Sequence, residues 1–137
     1  MASPVIRRLK EHVMTDKDVL IDAPPGTSCA VIESVKASDY CILVTEPTPF
    51  GLNDLELAVE MLESMDLPHG VIINRDGIGN DDVLGYCESK GIPIHLRIPH
   101  DPEIARLYSE GIPFIKEMPE YRMYFRDVHE RILEELG

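Results

Sequence analysis

Short apolar runs rich in β-branched residues alternate along this sequence with amphipathic segments that have recognisable helix starts and ends. The candidate strands are Val19–Asp22, Tyr40–Thr45, Gly70–Asn74 and Ile94–Ile98. All but the last are almost continuously hydrophobic, which is typical of parallel strands covered on both faces. Because parallel strands need crossover connections, the pattern predicts an α/β fold, with a doubly wound, mostly parallel sheet of about four strands flanked by helices.

Residues typical of helix ends separate these runs. Asn80 is suited to cap one helix, Asp101 before a proline to cap another, and Asn53 to cap a third. A final amphipathic segment is expected to dock on the sheet through a stripe formed by Tyr121, Phe125, Val128, Ile132 and Leu136. Since no repeat or long linker divides the chain, we expect all 137 residues to form a single α/β domain.

Composition excludes several classes of function. The net charge of -12 opposes nucleic-acid binding, which depends on clustered Lys and Arg. No apolar run is long enough for a membrane span, and the opening residues do not resemble a secretory signal. The three cysteines form no CxxC spacing. We therefore predict a soluble, cytoplasmic protein with reduced thiols, which binds neither nucleic acid nor a membrane.

The segment Leu20–Thr27 combines an aspartate, two prolines and a glycine. Asp22 would lie at the carboxyl end of a buried strand, where open α/β sheets bind ligands. A carboxylate at that position can hold Mg²⁺ through its water shell. Gly26 would let a backbone N–H approach a phosphate closely. The alternative is a plain strand-ending aspartate followed by a stiff loop.

Segments in a fixed order resemble MinD/ParA-superfamily P-loop ATPases, in particular those that carry an inserted ferredoxin domain. They are Ile21–Gly26, Val44–Thr48 with Gly51 and Asp54, Ile73–Arg75, and Ile98–Asp101. The resemblance extends from about Asp18 to Gly111 and implies a partial P-loop NTPase fold.

The resemblance also implies roles for individual residues. Asp22 and Gly26 would form the switch that senses the γ-phosphate of ATP through Mg²⁺. Asn74 and the segment around Pro99 would flank the adenine, and an Asn amide offers a base both a donor and an acceptor. Arg75 would stack on the base or reach a phosphate. The alternatives are a turn-forming Asn74 and a solvated Arg75.

The sequence departs from this family in the phosphate-binding loop. A P-loop needs a glycine-rich turn closed by a lysine, and no Gly–Lys dipeptide occurs here. The CxxC spacings of a ferredoxin insert are also absent, so no iron–sulfur cluster is inferred. We expect a part of a longer ATPase rather than an independent short protein. ATP and Mg²⁺ are then expected only in the complete protein, and this chain alone is predicted to be inactive.

In the family's sheet, the strand before the P-loop lies beside the Asp22 strand and near the strand Tyr40–Thr45. Its absence would expose backbone donors and acceptors. We predict that the chain either pairs these two strands directly or fills the gap with a second copy.

The resemblance implies ATP hydrolysis together with the missing P-loop part, linked to iron–sulfur or redox protein maturation through nucleotide-dependent dimerisation. The expected partners are a nucleotide, a second copy and a redox or iron–sulfur protein. The alternative function is a non-catalytic, acidic α/β interaction module with a degenerate nucleotide site. Its functional face would be the acidic helix surface containing Glu56, Glu60 and Glu63.

Smaller features also have two interpretations. Cys29 lies at a predicted helix start, which favours thiolate chemistry, although packing of a small residue is the simpler interpretation. His95 and His100 could approach each other as zinc ligands, but nothing specifies further ligands. The segment Gly77–Gly79 is predicted to be a flexible turn rather than a dinucleotide fingerprint.

Overall fold

The computed structural model describes residues 3–14 and 16–137, in which strands and helices alternate. The strands are β1 (Cys41–Thr45), β2 (His69–Asp76) and β3 (Ile94–Pro99). The helices are α1 (Ser3–Lys10), α2 (Cys29–Val35), α3 (Pro49–Ser64), α4 (Asp82–Lys90), α5 (Pro102–Ser109), α6 (Phe114–Glu117) and α7 (Glu120–Leu136). The predicted α/β fold class is confirmed, and these strands coincide closely with the predicted runs.

The strands form a parallel sheet in the order β1–β2–β3. Thr45 lies opposite Ile73, and Asp76 lies opposite Pro99. The ends of the strands at Thr45, Asp76 and Pro99 therefore define one edge of the sheet, which we call the carboxyl edge; the opposite edge is the amino edge. Open α/β sheets bind ligands outside the carboxyl ends of their strands, so the carboxyl edge is the expected site.

β2 carries apolar side chains on both of its faces. Val71 and Ile73 belong to a core with α3 and α4, whereas Ile72 belongs to a core with β3 and α7. The first core contains Leu55, Val59, Val83, Cys87 and Ile92, and the second contains Ile98, Tyr121 and Val128. Burial of each large side chain stabilises the fold by about 1.5–3 kcal/mol. Two covered faces explain why the β2 run is continuously hydrophobic.

Helix starts depend on local capping bonds. The Asp101 carboxylate accepts a hydrogen bond from Glu103 N at 2.8 Å, as predicted for the start of α5. Helix α3, however, begins before the predicted cap at Asn53. The Thr48 hydroxyl accepts from Gly51 N at 3.0 Å, and a proline occupies the first helical position. Together, the Thr48 cap and the proline account for backbone N–H groups that would otherwise lack a partner at the start of α3. The prediction of Asn53 as the cap was therefore wrong.

Helix α7 docks on the sheet, as its apolar stripe predicted. Tyr121 and Val128 are buried in the second core, with Phe125 and Ile132 packed against it. Leu136, at the end of the stripe, remains 43% exposed. In the described part of the chain, the helices are all too short or too polar to cross a lipid bilayer.

The segment Val19–Asp22 is not a strand, which corrects the prediction. Leu20 is 92% exposed. The Asp18 carboxylate lies 2.9 Å from His129 Nε2 of α7, and Ala23 packs against the buried cluster of Val35, Leu62 and Leu67. Among the described residues, β1 pairs only with β2, so the predicted direct pairing with this segment is also wrong. The hydrophobicity of Val19–Asp22 indicated a buried strand, but a strand forms only where a neighbouring strand completes its hydrogen-bond ladder.

Candidate functional site

Asn74 and Arg75 lie at the carboxyl edge, where β2 ends. Asn74 is half-buried, and its Oδ1 accepts a hydrogen bond from Arg75 N at 3.0 Å. Arg75 has a φ of 51°, a left-handed conformation that few non-glycine residues adopt. The side-chain bond from Asn74 supports this turn locally. Backbone outliers of this kind cluster at ligand sites, which makes the end of β2 a candidate site.

Pro99 lies beside the same turn. It is opposite Asp76 in the sheet register, and the next residue, His100, donates its N–H to the Asp76 carbonyl at 2.8 Å. The Arg97 guanidinium holds the Asp76 carboxylate through bonds of 2.8 and 3.2 Å. This pairing raises the pKa of Arg97. The structure therefore brings Asn74, Arg75 and Pro99 together at the carboxyl edge.

Asp22 and Gly26 lie in the irregular segment between α1 and α2, and both are exposed. No ion pair among the described residues involves the Asp22 carboxylate. Gly26 has a φ of 90°, and a Cβ there would meet no atom within 4 Å. Its backbone conformation, rather than crowding, therefore requires glycine. These two residues and the group at the end of β2 occupy separate segments with no hydrogen bond between them in the described chain.

The side chains of Asp22 and Asn74 have the chemistry needed to contact some groups of a magnesium–nucleotide ligand. Asp22 is an exposed carboxylate with no competing cation among the described residues, as is needed to accept hydrogen bonds from the waters around Mg²⁺. The Asn74 amide nitrogen can donate to a base while Oδ1 holds the turn. A lysine-closed glycine loop is missing from the sequence. The chain thus has residues suited to the metal's waters and to the base, but it lacks the loop that would supply most partners of the phosphates.

A polar cluster at the amino edge was not predicted. The Tyr40 hydroxyl lies 2.7 Å from His95 Nε2 and donates to the Glu135 carboxylate at 2.8 Å. The His95 side chain is only 2% exposed. A Cβ on Gly70 would lie 2.6 Å from the Tyr40 oxygen and overlap the His95 ring. The glycine at the start of the predicted strand Gly70–Asn74 was the available signal, because a glycine in a strand often marks a close approach.

Burial determines the protonation of this cluster. It raises the pKa of Tyr40, an effect that the hydrogen bond to Glu135 reinforces. Burial also lowers the pKa of His95; the nearby Glu135 charge opposes this effect and the Arg131 charge adds to it. At neutral pH, Tyr40 is therefore protonated and His95 is uncharged.

Acidification is expected to destabilise the fold through His95. Because burial holds the His95 pKa below its ordinary value in the folded chain, the unfolded chain binds a proton first as the pH falls. The free energy of unfolding should therefore decrease from about pH 6.5 down to the lowered folded pKa and then level off. Urea unfolding of the wild type and His95→Gln between about pH 7.5 and 5 measures this effect. Equal pH dependence in the two proteins would contradict the prediction.

The zinc alternative does not agree with the geometry. His95 lies near the start of β3 and His100 just after its end, roughly 16 Å apart at the usual rise of a strand. Within residues 3–14 and 16–137, no group of three or more His, Cys, Asp or Glu side chains could hold a metal. Cys29 is exposed at the first position of α2. Cys87 is fully buried, and burial raises the pKa of the half-buried Cys41.

Known proteins resemble this chain in sequence and in fold, although no protein-family model matches it. An uncharacterized protein of Methanocaldococcus jannaschii is 33% identical over 97 residues, covering 71% of this chain and 33% of that protein. The iron-sulfur cluster carrier protein of the same organism is 25% identical, covering 86% of this chain and 46% of that protein. The septum site-determining protein MinD of Pyrococcus horikoshii, solved with Mg-ADP, is 28% identical with a TM-score of 0.71, covering 99% of this chain and 57% of that one. The chain thus spans less than half the length of these curated relatives.

Proposed function

The chain belongs to the MinD/ParA superfamily of P-loop ATPases, and from this membership we propose that it is the C-terminal part of a MinD/ParA-type ATP-binding protein. It hydrolyses ATP together with a part that supplies the P-loop. We call the combination of this chain with that part the assembled protein. The ferredoxin-containing subgroup is the proposed branch of the superfamily, because the motifs around Asp22 and Asn74 resemble those of that subgroup.

The open outer edge of β1 is the observation that carries this proposal. No strand among the described residues pairs with that edge. Within β1, Val44 is 66% exposed and Ile42 is also exposed, as is Leu20 in the segment before α2. Unpaired backbone groups along the strand, together with exposed apolar side chains on one of its faces, favour association with another element. We assign the edge to the strand that leads into the P-loop, which would lie between β1 and the Val19–Asp22 segment and give that segment the neighbour it needs.

The site residues take their proposed roles in the assembled protein. The Asp22 carboxylate accepts hydrogen bonds from the waters around Mg²⁺, and the Gly26 N–H faces the terminal phosphate. Asn74 and the Pro99 segment flank the adenine, while Arg75 stacks on the base or reaches a phosphate. When bound, Mg²⁺ neutralises phosphate charge and polarises the terminal phosphoryl group. The role of this chain is to orient the waters around the metal ion and the base of the nucleotide.

The proposed process is iron–sulfur or redox-linked protein maturation in the cytoplasm. One relative is named an iron-sulfur cluster carrier protein. The proposed partners are a nucleotide, a second copy of the assembled protein, and a redox or iron–sulfur protein. A net charge of -12 disfavours nucleic acid as a partner.

A second candidate function rests on the acidic outer surface of α3. Glu56, Glu60 and Glu63 are all exposed there, and their charges add to the effect of burial in raising the pKa of Tyr86 on α4. In a non-catalytic interaction module, this surface would bind a basic partner. ATP binding discriminates between the two functions, because only the first requires a nucleotide.

Titration with ATP and Mg²⁺ is expected to give no binding at micromolar concentrations for this chain alone. The assembled protein is expected to bind with a Kd of about 1–100 μM, because the P-loop supplies most partners of the phosphates. Isothermal titration calorimetry on both samples makes the comparison. Micromolar binding by this chain alone would contradict the proposal that the P-loop part supplies most of the phosphate affinity. No binding by the assembled protein would contradict the proposed function. Sequencing the gene upstream of the Met1 codon tests whether a Gly-Lys-Thr or Gly-Lys-Ser loop is encoded there.

A further inference from the structure

The loop after β1 is held rigid by its own hydrogen bonds. Thr48 N donates to the Glu46 carbonyl at 2.8 Å, and the Thr45 hydroxyl donates to the Gly51 carbonyl at 2.9 Å. A Cβ on Gly51 would overlap the Glu46 carbonyl oxygen. Pro47, at the centre of the loop, is buried. This loop therefore offers a fixed surface at the carboxyl edge.

Gly79, in the loop after β2, rests directly on that surface. A Cβ at this position would overlap the Pro47 carbonyl oxygen and lie 2.7 Å from the Pro47 carbonyl carbon. Gly79 is not among the glycines with positive φ, so close approach and not backbone conformation requires it. The segment was predicted to be a flexible turn. The structure instead packs it backbone to backbone against the neighbouring loop.

A second contact links the loop after β1 to the end of β2 itself. Arg75 Nη1 lies 3.5 Å from Glu46 Oε2, with both side chains about half exposed. An exposed ion pair of this kind adds little to stability. It does orient the Arg75 side chain, whose backbone already holds the left-handed turn beside Asn74. The end of β2 is thus held by contacts on both sides: Arg75 with Glu46 on the β1 side, and Asp76 with Arg97 on the β3 side.

We propose that Gly79 and Glu46 are positioning residues, which seat the loop after β2 on the loop after β1 and thereby set Asn74 and Arg75 for the base of a bound nucleotide. This inference rests on the proposed function and adds two residues that position the same site from the side of β1. Neither residue touches the nucleotide. Their effect passes through the turn at Asn74 and Arg75, so it appears in nucleotide affinity and not in the rate of the chemical step.

The test compares Gly79→Ala with Gly85→Ala. Gly85 lies exposed in α4, where a Cβ would meet no atom within 4 Å, so it is a matched control. In this chain without nucleotide, amide chemical shifts of Thr48 and Arg75 are expected to change in Gly79→Ala and to stay at the wild-type values in Gly85→Ala. In the assembled protein, Gly79→Ala is expected to raise KM for ATP about tenfold while kcat stays within about twofold.

Glu46→Gln is the second variant, because Gly79→Ala could impair folding. It removes the charge that orients Arg75 without adding a heavy atom, and an increase in KM of about threefold is expected. Glu88→Gln on the exposed surface of α4 is its control. Unchanged Arg75 shifts and unchanged KM in Gly79→Ala or Glu46→Gln would overturn the positioning role. Absence of ATP binding by the wild-type assembled protein would overturn the proposed function, whereas the chemical shifts test the seating of the two loops in either case.

Discussion

Replacing Asp22 by asparagine is expected to lower the kcat for ATP hydrolysis by the assembled protein about 100-fold or more. Asparagine has nearly the same shape as aspartate but lacks the negative charge that orders the waters around Mg²⁺. The exposed Asp22 carboxylate has no ion-pair partner among the described residues, so the substitution should leave the fold intact. Steady-state hydrolysis, with ADP affinity measured in parallel, makes the test. ADP affinity measured without Mg²⁺ is expected to change by less than about threefold, because Asp22 acts only through the waters of that ion.

Asp39→Asn is the matched control for this prediction. Asp39 is another exposed aspartate, and it precedes β1 at the amino edge, on the opposite side of the sheet from the candidate site. If Asp39→Asn hydrolyses ATP at the wild-type rate, the loss of one unit of negative charge does not by itself cause the lower kcat of Asp22→Asn. If Asp22→Asn hydrolyses ATP at the wild-type rate, Asp22 is not part of the catalytic site, and the proposed switch is contradicted as well.

The three strands of the sheet could be predicted because their local patterns agree with their final environment. β2 is hydrophobic at successive positions, and the structure covers both of its faces. The same reasoning failed for Val19–Asp22. That run has a similar composition, but no described element completes its ladder and Leu20 is left in solvent. Composition reports the preference of a segment for burial, whereas strand formation also needs a neighbour, which lies elsewhere in the chain or outside it.

The candidate site could be predicted only in part. The order of motifs anticipated that Asn74, Arg75 and Pro99 belong together, and the parallel register places them at one edge. The contacts that shape this edge could not be predicted. The pairs Glu46–Arg75 and Pro47–Gly79 join the loop after β1 to the end of β2 and to the loop that follows it, which are distant in sequence, and they depend on the register of β1 against β2.

Replacing Gly70 by alanine is expected to destabilise the chain by about 3 kcal/mol. Gly70 is buried opposite Ile42 of β1, and a Cβ there would press on the Tyr40 hydroxyl and the His95 ring. Relief of the overlap would separate Tyr40 from His95 inside the fold, so the expected cost combines overpacking with a lost buried hydrogen bond. The midpoint and slope of urea unfolding give the change. Gly85→Ala, in open space on α4, is expected to be neutral or slightly stabilising because alanine favours a helix.

A double-mutant cycle separates this mechanism from a general intolerance of side chains in β2. If the overlap with His95 causes the loss, Gly70→Ala should cost at least about 1 kcal/mol less in a His95→Ala background, because the ring it would strike is gone. The hydrogen bond from Tyr40 to Glu135 can persist in that background, which keeps the end of α7 attached to the amino edge. Additive effects of the two substitutions would contradict the mechanism. They would mean that the backbone of β2, and not the cluster of Tyr40, His95 and Glu135, requires glycine at position 70.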